Sequence, residues 1–372
     1  MDDFISTVES QVFGLSTLDA FTSYINLQYV FFYGNPSDDA GFMRAETLKR
    51  AFYTALEQFP ILVGHYHQRS DHGLNIVVDK GKLNMPDYRE SVSDTVHYKD
   101  LKARKFHRDA WPKNLMTAHT MAHPDKGTRQ IKLCHVNIVR LKENSGVVIY
   151  LAINHGVADA NSYFQFAHRW ANIARAMVRN EPIPAANFCF GISELASTFP
   201  AERASLDTQL GEYFGKENFA SRLMARLSPN TRAKLLSFGT RQIKVRGALF
   251  RVPKQNVESL RMQVLQCTPP GTHISENDVI TAVMSKVIAQ AVRDLPKKST
   301  GFGDSVLSRL RKRQESRLVT VACDIRYRLG ITNMKYIGNG QFLPTLWIPV
   351  DKAVATITPE SLYEIAMMTR QA

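Results

Sequence analysis

The first quarter of the chain carries two hydrophobic periods in succession. Residues 24–33 are rich in aromatic and β-branched side chains and predict a strand. Residues 48–59 place apolar side chains at every third or fourth position, which predicts a helix that Pro60 ends. Two shorter apolar segments, residues 61–67 and 73–78, predict short strands after that helix.

A β-hairpin is predicted around residue 145. The preceding residues 80–128 are polar, rich in turn-forming residues and weakly periodic. Residues 131–141 then alternate between apolar and polar positions, and Asn144-Ser145-Gly146 provides a turn into a second strand over residues 147–154. Because this second strand is almost entirely apolar, we expect it to be buried on both faces.

A long amphipathic helix is predicted shortly after the hairpin. Apolar side chains recur with a helical period from Tyr163 to Met177, and Glu181-Pro182-Ile183-Pro184 ends the pattern. The following residues, 186–240, have mixed character and are interpreted as a crossover segment.

The C-terminal half again alternates strands with helices. Strands are predicted at residues 242–252, 318–325 and 342–350, and helices at residues 254–266, 275–293 and from residue 358 onward. Alternation in both halves indicates the α/β class. We therefore expect an N-terminal lobe over residues 1–185, the crossover segment, and a C-terminal lobe over residues 241–372.

The composition is that of a globular chain with a strong positive charge. The 372 residues include 47 lysines and arginines against 34 acidic residues, a formal net charge of +13 that favours anionic partners. The acidic start, Met1-Asp2-Asp3-Phe4, lacks the order of a secretory signal, and no apolar run is long enough to cross a bilayer. The four cysteines are widely spaced and are interpreted as free thiols in a reducing compartment. We therefore expect a soluble cytoplasmic protein with no membrane partner.

His155 is the leading candidate for a catalytic residue. It lies where the buried strand ends and the amphipathic helix is about to begin, a position that combines rigidity with exposure. An imidazole there is suited to remove a proton from a hydroxyl or an amine near neutral pH. Asp159, four residues on, is expected to orient the ring or to hold the loop by pairing with an arginine. The structural alternative is that His155 caps the strand end and Asp159 is the N-cap of the helix.

Other histidines fit a catalytic role less well. His67 and Asp71 repeat the H-x-x-x-D spacing, but they lie around a polar turn with no helix after it. His119 and His123 have the i, i+4 spacing of helical metal ligands, but no third ligand is evident and Pro124 ends the segment. We expect both pairs to be ordinary surface or loop residues, and we predict no metal site.

A basic tract covers residues 297–317, where seven lysines and arginines accompany two acidic residues. Glycine, serine and threonine lie among the charges, which is typical of a solvated insertion loop. Aromatic side chains are not interleaved with the basic ones as in single-strand-binding platforms, so we expect no nucleic-acid partner. The sequence has no phosphate-binding loop, dinucleotide-binding, zinc-finger or serine-hydrolase motif.

Short motifs occur in a characteristic order along nearly the whole chain: Leu15-Ser16-Thr17-Leu18-Asp19, Phe59-Pro60-Ile61-Leu62-Val63-Gly64, Asn154-His155-Gly156-Val157-Ala158-Asp159, Asp324-Ile325-Arg326-Tyr327-Arg328 and Tyr336-Ile337-Gly338-Asn339. They resemble the L-S-x-L-D opening, P-x-x-x-G turn, H-x-x-x-D site, D-x-R-x-R and Y-x-G-N elements of the BAHD-type acyltransferases. The resemblance is strongest to the fungal transferase branch that includes trichothecene O-acetyltransferase-like enzymes. Each motif is short, and their common order makes the set specific.

The resemblance implies a fold like that of chloramphenicol acetyltransferase, a sandwich of two α/β lobes with a channel between them. It implies acyl-CoA as cosubstrate, a small-molecule hydroxyl or amine as acceptor, acetyl as the transferred group, and no permanently bound cofactor. By the same resemblance His155 is the general base, Asp159 is a structural residue paired with Arg326, and Asn339 is a supporting residue. The residues that contact coenzyme A are not identified by the sequence.

Two positions depart from the family pattern. Ala160 stands where the family usually has glycine after the aspartate. The family's Asp-Phe-Gly-Trp-Gly motif does not occur between Asn339 and the last residue, Ala372. We therefore expect a truncated protein with an incomplete C-terminal lobe. We also expect a monomer.

Two alternatives stay open on the sequence alone. One is a truncated relative, made inactive by its short C-terminus, which only binds a ligand or a partner. The other is a condensation domain of a peptide synthetase, which shares the fold and usually carries two adjacent histidines. Here Asn154 precedes His155, which favours a free-standing enzyme.

Overall fold

A computed structural model describes residues 2–70, 73–124, 130–190, 231, 251–294, 316–324, 326–327, 335–342 and 345–371. The chain forms two compact units. The first comprises Met1–Arg246 and Arg326–Gly340, and the second comprises Gly247–Ile325 and Gln341–Ala372. Residues 326–340 thus belong to the first unit, although the segments on either side of them belong to the second. The lobe boundaries expected at residues 185 and 241 stay predictions.

The described residues form helices and strands in both units. In chain order they are α1 (Asp2–Thr7), β1 (Gln11–Gly14), α2 (Thr17–Thr22), β2 (Asn26–Gly34), α3 (Ala45–Glu57), β3 (His65–Gln68), β4 (Leu74–Val78), β5 (Asp87–Val92), α4 (Tyr98–Ala103), β6 (Cys134–Arg140), β7 (Gly146–Asn154), α5 (Ala160–Arg179), β8 (Phe188–Phe190), α6 (Lys254–Gln266), α7 (Glu276–Asp294), β9 (Ser316–Thr320), β10 (Cys323–Asp324), β11 (Lys335–Ile337), β12 (Gln341–Phe342), β13 (Thr345–Pro349), α8 (Val350–Val354) and α9 (Pro359–Gln371).

A four-stranded sheet lies at the centre of the first unit, in the order β2-β7-β6-β5. β7 is antiparallel to both of its neighbours, and β5 pairs in parallel with β6 at the edge. All residues of β7 are buried, which confirms the expectation from its apolar sequence. Because side chains alternate along a strand, Ile149 and Leu151 join the main core, whereas Val148 and Tyr150 join a second cluster on the other face.

The main core packs α3 and α5 together, and it continues onto the sheet. The indole N–H of Trp170 in α5 donates to the carbonyl oxygen of Leu48 in α3 at 2.9 Å. The Phe52 ring meets Phe166 and Trp170 edge-on, with centroids 5.8 and 5.2 Å apart. The apolar stripes that predicted both helices therefore form one interface, which supports the strand that leads to His155.

The structure corrects two predictions in the N-terminal half. Residues 61–67 are not one strand, because Pro60–Val63 forms a 3₁₀ turn with proline at its start and β3 begins only at His65. Residues 80–128 contain β5 and α4, although their weak periodicity predicted neither. β5 is an edge strand whose last four residues, 89–92, are exposed, so its sequence shows little apolar pattern.

The second unit has its own core, formed by α6, α7, α8, α9 and β13. α6 spans the predicted residues, and α7 begins with a capping box. The Ser275 N–H donates to the Asp278 carboxylate at 2.8 Å, and the Asp278 N–H donates to the Ser275 hydroxyl at 3.2 Å. The single strand predicted over residues 318–325 is instead divided between β9 and β10, and the one predicted over residues 342–350 between β12 and β13.

Across the described ranges, no helix combines the length and the apolar character needed to span a bilayer.

Candidate active site

The loop between β7 and α5 presents His155, and hydrogen bonds hold its main chain on both sides. Its N–H donates to the carbonyl oxygen of Ile25 at 2.8 Å. Its own carbonyl oxygen accepts from Thr22 Oγ1 at 2.9 Å and from Asn339 Nδ2 at 2.7 Å. The residue is half-buried, so a firmly held backbone carries an imidazole that is not sealed in the core.

Asn154, the last residue of β7, ties the loop to neighbouring segments. It is fully buried, and its Oδ1 accepts from the Tyr66 hydroxyl at 2.6 Å and from the Gly156 N–H at 2.9 Å. Its Nδ2 donates to the carbonyl oxygen of Ser23 at 2.9 Å. The sequence alone did not indicate this role. A polar residue that ends an otherwise apolar strand was the only available signal.

Gly156 allows two backbone segments to approach closely. A Cβ atom at this position would lie 2.8 Å from the Cα of Ser23 and would also collide with the Tyr66 hydroxyl. Real Cβ atoms do not come so close to another backbone, so glycine is required next to His155.

Asp159 is the N-cap of α5, as the structural alternative proposed, and it is also the centre of a buried ion pair. Its Oδ1 accepts from the Ser162 N–H at 2.9 Å and from Arg326 Nη2 at 3.0 Å. Its Oδ2 accepts from Arg326 Nη1 at 2.7 Å and from the Gly340 N–H at 3.0 Å. None of these four donors is the His155 imidazole, so these hydrogen bonds of the Asp159 carboxylate hold segments of the chain together.

The segment after β11 is shaped to receive Arg326. The Arg326 guanidinium also donates to the Ser162 hydroxyl at 3.0 Å and to the carbonyl oxygen of Gly338 at 2.9 Å. Gly338 has φ +148°, and a Cβ there would lie 2.7 Å from Cζ of Tyr336. Only glycine fits both restrictions, which explains the glycine of the Tyr336–Asn339 motif.

Asn339 joins the His155 loop to α2 through a buried carboxylate. Asp19 Oδ1 accepts from Asn339 Nδ2 at 2.7 Å and from the Asn339 N–H at 3.0 Å. Asp19 Oδ2 accepts from the N–H and the hydroxyl of Ser16 at 2.8 and 2.6 Å, in a capping box at the start of α2. Burial raises the pKa of Asp19, and its hydrogen bonds with Ser16 and Asn339 oppose that rise. Asn339 was an expected supporting residue, whereas Asp19 had no assigned role.

The remaining sequence candidates lie apart from this arrangement or outside the described residues. His67 is exposed on β3, and Asp71 lies outside the described residues, as do Arg328 and residues 297–315 of the basic tract. His119 and His123 are not in a helix, although their rings meet edge-on with centroids 5.0 Å apart. Over the described part of the chain, no group of three or more metal-ligating side chains is placed to hold an ion.

The site therefore combines a half-buried imidazole with four restraints on its loop. These are the main-chain hydrogen bonds of His155, the Asn154 side chain, the Asp159–Arg326 pair and the Asp19–Asn339 link. Such an arrangement can present a proton acceptor in a fixed direction, which is what general-base catalysis requires.

Comparison with solved structures identifies the fold. The TRI101 protein of F. sporotrichioides, complexed with coenzyme A and T-2, matches with a TM-score of 0.57 at 13% identity, over 97% of this chain and 73% of that one. The TRI101 protein of F. graminearum, complexed with coenzyme A and T-2 mycotoxin, matches with a TM-score of 0.57 at 14% identity, over 96% and 77%. The first condensation domain of the calcium-dependent antibiotic synthetase matches with a TM-score of 0.50 at 15% identity, over 97% and 74%. These likenesses confirm the predicted α/β fold.

Comparison at the level of sequence identifies the family. No curated protein matches the sequence. The model of the Transferase family matches residues 6–347, which is most of the chain and includes every motif that carried the resemblance. The chain therefore belongs to the Transferase family and is an acyltransferase of the BAHD type.

Proposed function

We propose that this acyltransferase moves an acyl group, most simply acetyl, from a CoA thioester to a hydroxyl or amine of a small molecule, with His155 as general base. The observation that carries the proposal is the half-buried His155, whose N–H and carbonyl group are both hydrogen-bonded where the buried β7 ends. A proton acceptor held in this way meets its substrate in one orientation, which lowers the entropic cost of reaction.

The proposed chemistry needs one base and two substrates. The neutral imidazole removes the proton of the acceptor O–H or N–H as the acceptor atom bonds to the thioester carbonyl carbon. The tetrahedral intermediate then collapses, the C–S bond breaks, and the departing thiolate takes the proton from the imidazolium. General-base assistance of this kind contributes about 10²- to 10⁴-fold to the rate.

Asp159 has a supporting role in this proposal. Its carboxylate already accepts four hydrogen bonds from Ser162, Gly340 and Arg326. An oxygen atom so occupied is a poor partner for a fifth donor, so we assign Asp159 to holding the loop and not to charging the imidazole.

The donor is inferred from charge and from the similar structures. The TRI101 proteins were solved with coenzyme A and with T-2 or deoxynivalenol, which are small molecules. The net charge of +13 favours an anionic cosubstrate such as a CoA thioester. The acceptor that we propose is therefore a small molecule with a free hydroxyl or amine.

We further propose that the enzyme acts as a monomer in the cytoplasm. Light scattering of the purified protein tests the oligomeric state, and fractionation of the producing cells tests the location.

The test replaces His155 and uses the exposed His67 as a matched control. Release of the CoA thiol from acetyl-CoA is measured with a panel of alcohols and amines. We expect His155→Ala to lower turnover by about 10²- to 10⁴-fold, because the base is lost. His67→Ala, which removes the histidine of the other H-x-x-x-D sequence, should keep the wild-type rate.

Two outcomes contradict the proposal. Wild-type turnover by a folded His155→Ala protein would remove His155 from the chemistry. A wild-type protein that binds acetyl-CoA in calorimetry, but transfers nothing to any acceptor of the panel, would instead support the non-catalytic binding protein.

A further inference from the structure

A chain of hydrogen bonds connects a buried carboxylate to the main chain of the base. Asp19 accepts both the N–H and the Nδ2 group of Asn339, at 3.0 and 2.7 Å. The same Nδ2 group donates its other proton to the carbonyl oxygen of His155 at 2.7 Å. Asp19 and Asn339 are buried, and they are 320 positions apart in sequence.

This chain of hydrogen bonds matters because it ends at the carbonyl group of His155. The direction of the Cα–Cβ bond depends on the two peptide planes that flank the Cα atom. At His155 the preceding plane is held by the N–H bond to Ile25, and the following plane is held at its oxygen by Thr22 and Asn339. Fixing both planes fixes the direction of the Cα–Cβ bond, along which the imidazole leaves the backbone, through hydrogen bonds to the main chain.

The Asn339 amide can serve this function only if it is itself held. An asparagine side chain rotates readily about its last bond, and its oxygen and nitrogen atoms are similar in size. The Asp19 carboxylate accepts hydrogen bonds and donates none when ionised, so it selects the orientation in which Nδ2 faces both Asp19 and His155. Ser16 fills the other oxygen of Asp19 and keeps the carboxylate in place.

We propose that Asp19 and Asn339 are positioning residues for the transfer reaction: Asp19 orients the Asn339 amide, and the amide holds the His155 carbonyl so that the imidazole points toward the acceptor. The inference rests on the proposed role of His155 as general base.

The test measures steady-state kinetics of acetyl-CoA thiol release for Asn339→Ala and Asp19→Asn. Since neither side chain is assigned to a substrate, we expect kcat to fall about 10- to 100-fold while KM for acetyl-CoA changes little. The double variant should be no slower than the slower single variant, because both changes break the same chain of bonds.

The matched control is Asn137→Ala. Asn137 is a buried asparagine of the same unit, and its Nδ2 also donates to two carbonyl oxygens, those of Asn114 and Leu115, at 3.1 and 2.9 Å. Its loss should lower the urea midpoint much as Asn339→Ala does, yet leave kcat unchanged. If Asn339→Ala does not fold, Thr22→Val removes the other donor to the His155 carbonyl and keeps the shape of the side chain.

A second readout does not depend on activity. Histidine labelled with ¹³C at Cε1 gives one NMR signal per ring, and His155→Ala identifies the signal of His155. We expect Asn339→Ala and Asp19→Asn to shift or broaden that signal, whereas Asn137→Ala leaves it in place.

The two proposals fail in different ways. If His155→Ala keeps its turnover, the proposed function fails. The NMR signal of His155 then remains as the test of whether Asp19 and Asn339 hold this residue in place. If His155→Ala is inactive, but Asn339→Ala keeps both its kcat and the His155 signal, the positioning proposal is wrong and the proposed function stands.

Discussion

Gly156 illustrates how single atoms determine the geometry of the His155 loop. A Cβ at this position would lie 2.8 Å from the Cα of Ser23, which is backbone and cannot rotate away. We therefore predict that Gly156→Ala displaces the loop and lowers the free energy of unfolding by about 1–3 kcal/mol, the usual cost of overpacking. The turnover of acetyl-CoA should fall by more than the loss of stability alone explains, because the displaced loop carries the adjacent residue His155.

Gly14 provides the control for this substitution. The nearest atoms to a Cβ at Gly14 belong to the side chains of Arg69 and Asn75, both 4.0 Å away. Gly14→Ala should therefore change neither the urea midpoint nor kcat appreciably. Equal effects of the two substitutions would show that the close approach at Gly156 has no special importance.

The pairing of the edge strand β5 with β6 carries a pH dependence that is independent of the site. Asp87 on β5 lies directly across from His135 on β6, and His135 Nδ1 is 3.5 Å from the carboxylate. The nearby His135 ring lowers the pKa of Asp87 to about 2, against the penalty of partial burial and with help from Arg89. A lowered pKa means that the folded state favours the ionised carboxylate.

The sign of the effect on stability follows from this direction. The ionised Asp87 stabilises the fold above its ordinary pKa of 3.8, and the contribution is lost as the pH falls through that value toward about 2. We predict that Asp87→Asn is less stable than the wild type at pH 5, and that the difference narrows as the pH is lowered below 4. Urea unfolding of both proteins over this range is the measurement, and a difference that stays constant would contradict the assignment.

Helices and strands differed in how well the sequence predicted them. α5 and α7 begin at side-chain caps, Asp159 and Ser275, and their apolar stripes are local features. The sequence did not predict β5, because this strand pairs only with β6. That pairing is parallel and joins residues about 48 positions apart in the sequence. A strand that is half exposed and not joined by a hairpin leaves no short-range pattern.

At the scale of the whole molecule, the Asp159–Arg326 pair connects segments that are 167 residues apart. Both side chains are almost fully buried, at 4% and 7% exposure, so removal of one leaves an unpaired charge in the core. We predict that Asp159→Ala lowers the free energy of unfolding by about 3–5 kcal/mol. Denaturant unfolding followed by circular dichroism measures the loss.

The double variant Asp159→Leu with Arg326→Met distinguishes the cost of an unpaired buried charge from the cost of lost packing and hydrogen bonds. Replacement of a whole buried ion pair by apolar side chains is often close to neutral, so this protein should regain most of the lost stability. A double variant that is as unstable as Asp159→Ala would show that hydrogen bonds to Ser162 and Gly340, and not the unpaired charge, dominate the cost.

The sequence by itself determined the α/β class, the long helices α3, α5, α6, α7 and α9, the buried strand β7 and the resemblance that the family match over residues 6–347 then confirmed. These properties follow from hydrophobic periods and short motifs, which are local along the chain. Only the tertiary structure decided how Asn154 meets Tyr66, how Asp159 divides its oxygens among four donors, and how Asp19 reaches His155 through Asn339. Hydrogen bonds between residues 88 to 320 positions apart depend on where folding brings two atoms together, and no local pattern of polar residues encodes that approach.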